Sequence, residues 1–164
     1  MTPAEARASA AAAGSPAGSG LAPPNDFVIR VGTVNGSGSQ TANMVLLRTI
    51  FRTGVPCSGK NVFPSNIQGL PTWFEIRLSP CGRVARRRGS DFLVAMNHET
   101  AEKDLEELRP GGVAVHDETM ALAGRRADVA TFPVPFGKLV QEVCPDARLR
   151  KLVDRKSTRL NSSH

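Results

Sequence analysis

Between Phe27 and Arg52 the hydrophobic period of the sequence changes, and no other feature restricts the fold as much. Phe27 to Val34 (FVIRVGTV) is a β-rich apolar run, the pattern of a buried strand, and Asn35-Gly36 ends it. After Gly36-Ser37-Gly38, the apolar residues Ala42, Val45, Leu46 and Ile50 recur at three- and four-residue spacing. This predicts an amphipathic helix from Ser39 to Arg52, closed by Gly54 with Pro56 just beyond. Strand, glycine loop and helix in that order are the opening unit of a doubly wound sheet.

The rest of the chain continues the alternation. Thr72 to Ser79 (TWFEIRLS) sets Trp73, Glu75 and Arg77 against Thr72, Phe74, Ile76 and Leu78, a strand with one wet face. Pro80-Cys81-Gly82 makes a turn, from which Arg83 to Arg87 can return as a hairpin partner. Asp91 to Met96 reads as a buried strand. Asn97 is placed to cap a helix carrying Ala101, Leu105 and Leu108 on one face, with Pro110-Gly111-Gly112 as its stop. Val113 to His116 is a further buried strand, ended by Asp117. A proline-punctuated stretch, Thr131 to Pro135, leads to a short helix from Phe136 to Val143. Cys144-Pro145-Asp146 breaks it, and Ala147 to Val153 begins another. The expected fold is a single three-layer α/β domain with a mainly parallel sheet covered on both faces and a Rossmann-like opening unit.

The 164 residues suffice for one domain plus tails, and 40% hydrophobic with 22% charged residues is a globular composition. Residues 1–25 are a low-complexity tail rich in Ala, Gly, Ser and Pro, in which a short helix over Glu5 to Ala13 is all that the alanines allow. The tail lacks the basic start and apolar stretch of a secretory signal, and no run approaches the roughly 18 apolar residues of a membrane span. A cytoplasmic protein is expected. The ordered domain is placed at residues 26–153. The string DRKSTRLNSSH at 154–164 resembles a translated sequencing adapter along its whole length, and the chain is accordingly read as a fragment that ends in an artefact. Arg155, Lys156 and Arg159 against Asp154 supply +2 of the formal charge of +6, leaving a mild +4. That excess is weak support for nucleic-acid binding, which needs charge clustered on one face.

Two segments stand out as candidate sites. Gly36, Ser37, Gly38, Ser39 and Gln40 lie between strand and helix, where backbone N–H groups and the helix dipole favour an anion. The third glycine of a dinucleotide fingerprint is missing, because position 41 is Thr, so an ordinary NAD site is disfavoured. The other is Ser58 to Thr72 (SGKNVFPSNIQGLPT), which has little periodicity and reads as a long functional loop bearing Lys60, Asn61, Pro64, Ser65, Asn66, Gln68 and Gly69. Arg83, Arg86, Arg87 and Arg88 read as a solvated hairpin end. His98, His116 and His164 have no nucleophile or metal-ligand partner at recognisable spacing, and Cys57, Cys81 and Cys144 form no CxxC pair. No catalytic residue and no metal ligand is assigned. The residues by themselves leave open a stand-alone nucleotide-binding domain or a small basic nucleic-acid-binding module.

The stretches NDFVIRVGTVNGSGSQTANMVLLRTIF, SGKNVFPSNIQGLPTWFEIRLS and DFLVAMNHETAEKDLEELRPGG together resemble the gamma domain of 2-oxoacid:ferredoxin oxidoreductases. The likeness is to the type fused at the amino end of the alpha subunit in 2-oxoglutarate:ferredoxin oxidoreductases, and it runs from Asn25 to Val153. What it implies is the conversion of a 2-oxoacid and coenzyme A to acyl-CoA and carbon dioxide, with two electrons passed to ferredoxin. It also implies thiamine diphosphate, Mg2+ and an iron–sulfur cluster held outside this domain, in the remainder of the alpha subunit and a separate beta subunit. No cofactor would then be bound by this fragment alone, which would not turn over. The glycine loop and the Lys60–Gly69 segment are expected at the coenzyme A and substrate entrance, with Lys60 and the loop amides facing phosphate or carboxylate.

Overall fold

The computed structural model describes residues 25–37, 39–64, 69–83 and 85–143. The alanine-rich tail, the helix expected over Ala147 to Val153, and the adapter-like string lie outside them. The predicted strand–loop–helix opening is present as β1 (Phe27–Val34) and α1 (Ser39–Arg52). There follow β2 (Cys57–Val62), β3 (Pro71–Leu78), β4 (Ser90–Ala95), α2 (Ala101–Glu106), β5 (Leu108–Asp117), β6 (Ala130–Val134) and α3 (Phe136–Val143). The six strands form one sheet in the order β2-β3-β1-β4-β5-β6. β1, β4, β5 and β6 pair in parallel, and β3 runs antiparallel to both β1 and β2. The sheet is thus mainly parallel with an antiparallel edge.

Register assigns the two faces, because side chains of paired residues point the same way and successive residues point oppositely. Val31 is level with Val94 on one face, and Arg30 is level with Leu93 on the other. On the first face Val31, Phe74, Ile76 and Leu78 pack against Met44, Leu47 and Ile50 of α1. On the second, Leu93, Ala95 and Ala114 pack against Ala101 and Leu105 of α2. The two helices therefore cover opposite faces and opposite halves of the sheet. Burial of two such clusters, at about 25 cal/mol per Å2 of apolar surface, is the main force holding the layers together.

Several local expectations change. The stripe of α1 that meets the sheet is Met44, Leu47 and Ile50, whereas Val45 and Leu46 are 59% and 39% exposed. The helix carries two apolar stripes, and a period of 3.6 cannot decide which one turns inward. Gly54 takes φ +86 at its end, the left-handed conformation that closes a helix. The segment from Ser58 is not one long loop: Cys57–Val62 is an edge strand and Pro71 opens β3. Its strand character is hidden because an edge strand with Gly59 and polar neighbours lacks the apolar alternation of a central one.

The wet face expected for β3 is buried, with Glu75 and Arg77 at 7% and 9% exposure. Glu75 accepts hydrogen bonds from Arg30 Nη2 at 2.9 Å and Arg86 Nε at 2.8 Å, and Arg77 pairs with Asp26. Ion pairing lets charged alternation lie beneath a loop, where water was expected. Arg86 and Arg87 belong to that cover, the latter on Asp91 at 2.5 Å, and no described residue between Arg83 and Arg87 is in a strand. Asn97 does not cap α2. Thr100 takes the N-cap position without a side-chain bond to a helix amide, while Asn97 Oδ1 accepts from the Glu99 amide at 3.0 Å and holds the turn before the helix. Pro110-Gly111-Gly112 lies inside β5, where the register with β4 shifts between Ser90 and Phe92. Such an irregularity accommodates residues that a regular ladder would exclude.

Candidate functional site at the carboxyl end of β1

The two segments singled out in the sequence meet. The Asn35 amide donates to Leu70 O at 2.8 Å, and the Gly69 amide donates to Asn35 O at 3.1 Å. This reciprocal clasp ties the glycine loop to the start of β3. Gly36 turns the chain with φ +80, and the Ser37 amide donates to Val34 O at 3.1 Å. Hydroxyls then converge at the first residue of α1: Ser39 Oγ lies 3.0 Å from Thr33 Oγ1 and 3.0 Å from Ser37 Oγ.

Between the loop, the first turns of α1 and the β2–β3 edge lies a cavity of about 300 Å3. Gly36, Ser39 and Gln40 line it from the loop and helix, and Asn61 and Phe63 from the second segment. Thr33, Asn43 and Thr72 complete its polar wall. None of the twelve lining residues carries a charge. Asn43 and Thr33 are each only 6% exposed. Sequence reasoning missed both: Thr33 lies within β1, read only as a buried strand, and α1 was turned to the wrong phase, whereas in the correct phase Asn43 stands out as a polar residue on the sheet-facing side.

Other expected site residues fall elsewhere. Lys60 is exposed and level with Glu75 in the ladder, so it points to the sheet face opposite Asn61. It does not line the cavity. Pro64 and Gly69 are exposed beside the site, and Ser37 supports Ser39 from behind it. Gly38, Ser65, Asn66 and Gln68 lie outside the described residues.

On the opposite sheet face a second polar group was not foreseen. Asp104 accepts from Trp73 Nε1 at 2.8 Å and from Thr100 Oγ1 at 2.9 Å, and lies 3.9 Å from Arg30. Burial pushes the Asp104 carboxyl above the ordinary Asp value, outweighing those donors. At the far end of α1, a cleft of about 390 Å3 is lined by Leu47, Arg48, Phe51, Arg52 and Cys57. Burial raises the Cys57 thiol, the reverse of what an activated nucleophile needs. Among the described residues no group of three or more His, Cys, Asp or Glu is arranged to hold a metal ion, and no helix is long and apolar enough to cross a membrane.

The profile of the pyruvate ferredoxin/flavodoxin oxidoreductase family matches residues 28–153, the sheet and both candidate loops included. The chain belongs to that family. It is 23% identical over 92 residues to the alpha subunit of 2-oxoacid:ferredoxin oxidoreductase 2 from Aeropyrum pernix, which covers 56% of this chain and 14% of that one. The family fold recurs in three solved structures. A 2-oxoglutarate:ferredoxin oxidoreductase from Magnetococcus marinus superposes with a TM-score of 0.65 at 22% identity, over 73% of this chain and 22% of that one. The gamma subunit of a keto/oxoacid ferredoxin oxidoreductase from Geobacter sulfurreducens gives 0.56 at 18% identity, over 71% of this chain and 66% of that one. A pyruvate oxidoreductase subunit from Thermotoga maritima gives 0.57 at 15% identity, over 72% and 66%. This family member thus spans a small part of the alpha-type relatives and about two thirds of the separate subunits.

Proposed function

We propose that this chain is the gamma-type domain, residues 26–153, of a cytoplasmic 2-oxoacid:ferredoxin oxidoreductase, and that its cavity at the end of β1 forms part of the coenzyme A entrance. The observation that carries the reading is the clasp between Asn35 and the Gly69-Leu70 backbone, which joins both candidate segments around one cavity. Strand ends of this kind, where successive helices leave to opposite faces, are where open α/β sheets bind ligands. The Magnetococcus marinus neighbour has 2-oxoglutarate, coenzyme A and succinyl-CoA bound, which favours 2-oxoglutarate as the oxoacid here.

In the complete enzyme a 2-oxoacid and coenzyme A give acyl-CoA and carbon dioxide, and two electrons pass to ferredoxin. Thiamine diphosphate with Mg2+ supplies the electron sink and an iron–sulfur cluster the outlet, both from the remainder of the alpha subunit and the beta subunit. This domain contributes binding and orientation: the clasp fixes the loop, the Ser39 hydroxyl is held by Thr33 and Ser37, and Asn61 presents its amide to the cavity. Asn61→Ala in the assembled oxidoreductase is expected to raise KM for coenzyme A about fivefold or more, the loss of roughly one hydrogen bond, with KM for the oxoacid unchanged. An unaltered coenzyme A dependence overturns the proposal.

A further inference from the structure

One flank of α1 carries charge that the fold does not neutralise. Most arginines elsewhere in the described domain, Arg30, Arg77, Arg125 and Arg126 among them, sit against a carboxylate. Arg48 and Arg52 do not: neither guanidinium pairs with any described residue, and α1 itself (SQTANMVLLRTIFR) contains no acid. Residues four apart are neighbours on a helix surface, so these two like charges repel each other. The helix dipole accounts for Arg52, which is in the last turn, but Arg48 lies a turn too early for it. Phe51 stands between them, 65% exposed. With Leu47 and Cys57 these side chains line the cleft of about 390 Å3 at the end of α1. Cys57 begins β2, so this flank of the helix looks over the outer edge of the sheet.

β2 ends the strand order, and no described strand pairs its outer side. An open edge takes up an extended chain through main-chain hydrogen bonds, and the side chains beside it select which chain. Here the selection is by charge. Arg48 and Arg52 stand on the face of the sheet that α1 covers, and exposed Lys60 points to the opposite face, level with Glu75. An acid on either side of an added strand therefore meets a cation. A second copy laid edge to edge about a two-fold axis would bring these same cations together, in a chain of formal charge +6. A nucleic acid needs a longer track of cations and stacking rings than two arginines and one phenylalanine supply. An acidic strand satisfies every group at once, with its main chain on β2, carboxylates on the arginines and an apolar side chain against Phe51. We infer that the β2 edge and the adjoining flank of α1 form a docking site for an extended acidic segment of a partner protein. The inference is independent of the coenzyme A reading, because this cleft and the cavity at the end of β1 share no lining residue.

The test uses the full chain and fluorescein-labelled probes, followed by fluorescence anisotropy. The probes are a peptide of about eight residues alternating Glu and Val, the same peptide N-methylated at every residue, its Lys and Val counterpart, and single-stranded oligo(dT). Each is titrated against the parent and against Arg48→Gln/Arg52→Gln, which keeps the parent's melting temperature because neither side chain has a partner to lose. The Glu and Val peptide is expected to bind the parent and to lose about tenfold in affinity in the variant, the equivalent of one charge-assisted contact. The N-methylated form, which has no amide to donate to the edge, is expected to bind at least tenfold more weakly, and the Lys and Val peptide not at all. No binding of the acidic peptide overturns the inference, as does an affinity that the double substitution leaves unchanged. Equal affinity for the N-methylated form also overturns it, since charge alone would then hold the peptide. Oligo(dT) that binds more tightly than the peptide and is released by the substitutions overturns it in favour of a nucleic acid. Self-association of the parent that the same substitutions abolish overturns it in favour of a second copy.

Discussion

Arg30 stands between two carboxylates that respond to burial in opposite ways. It donates to Glu75 at 2.9 Å and lies 3.9 Å from Asp104. Burial pushes both acids upward, but at Glu75 the bonds from Arg86 and Arg30 outweigh it, and the net value lies below that of an ordinary Glu. At Asp104 burial wins over Trp73, Thr100 and Arg30, and the net value lies above 3.8. The signs for stability follow. Glu75 contributes stability at pH above the unfolded-state value, lost as the pH falls. Asp104 binds its proton more tightly in the folded state, so its contribution is favourable in acid and is lost as pH rises from 3.8 through the folded value. Asp104→Asn keeps an acceptor for Trp73 and removes that titration. The melting temperature of the variant is therefore expected to gain on the parent as pH rises through this window, read by Trp73 fluorescence. A constant difference at all pH values would refute the assignment.

At the scale of elements, the weak signal of β2 and the strict requirement for its glycine have one origin. A Cβ placed on Gly59 would lie 2.7 Å from Leu47 Cδ2 and 2.7 Å from Phe74 Cζ, so α1 rests directly on the edge strand. Gly59→Ala is expected to cost about 1–3 kcal/mol in urea unfolding, and shortening the opposing side chain in Gly59→Ala/Leu47→Ala should make the pair cost less than the sum. Strict additivity would show that the helix moves away instead. The same contact explains what could be read beforehand. β1, β4 and the Val113–His116 part of β5 announce themselves because they are central parallel strands, apolar on both sides. β2 and β6 are edges, where Gly59, Asn61 and Pro133 are tolerated and the pattern fades. Gly36, Ser39, Gln40 and Asn61 of the cavity were legible through turn chemistry and the polar segment. Asn43 was not, since its meaning depends on the rotation of α1, and Lys60 was misplaced because the face of a strand is unknown until the strand itself is recognised.

Among the described residues α1 and α2 lie on a diagonal across the sheet, and neither covers the β4–β6 half of the face that α1 occupies. α1 covers β2, β3 and β1, while on that same face Phe92, Met96 and Phe132 of the β4–β6 half are 39%, 40% and 53% exposed. Phe92 packs against Phe27 with ring centroids 5.2 Å apart and planes tilted by 57°, which extends the apolar surface to β1. α3 follows β6 with none of its residues buried, Leu139 and Val143 being 42% and 84% exposed. A monomeric domain rarely keeps so much apolar surface in contact with water, and surfaces of this kind are those used for association. The described domain is expected to bind a hydrophobic dye and to self-associate at concentrations of about 10–100 μM, each buried Å2 contributing about 25 cal/mol. Met96→Glu with Phe132→Glu should abolish both effects, because a charge on a desolvated contact costs several kcal/mol, and should change unfolding free energy by less than about 1 kcal/mol, because neither side chain belongs to a core cluster. Sedimentation velocity separates the outcomes. A parent that stays monomeric and dye-free would mean that this face is already covered within the chain, while a doubly substituted chain that still associates would move the contact to the exposed side of α1, where Val45 and Phe51 are 59% and 65% exposed.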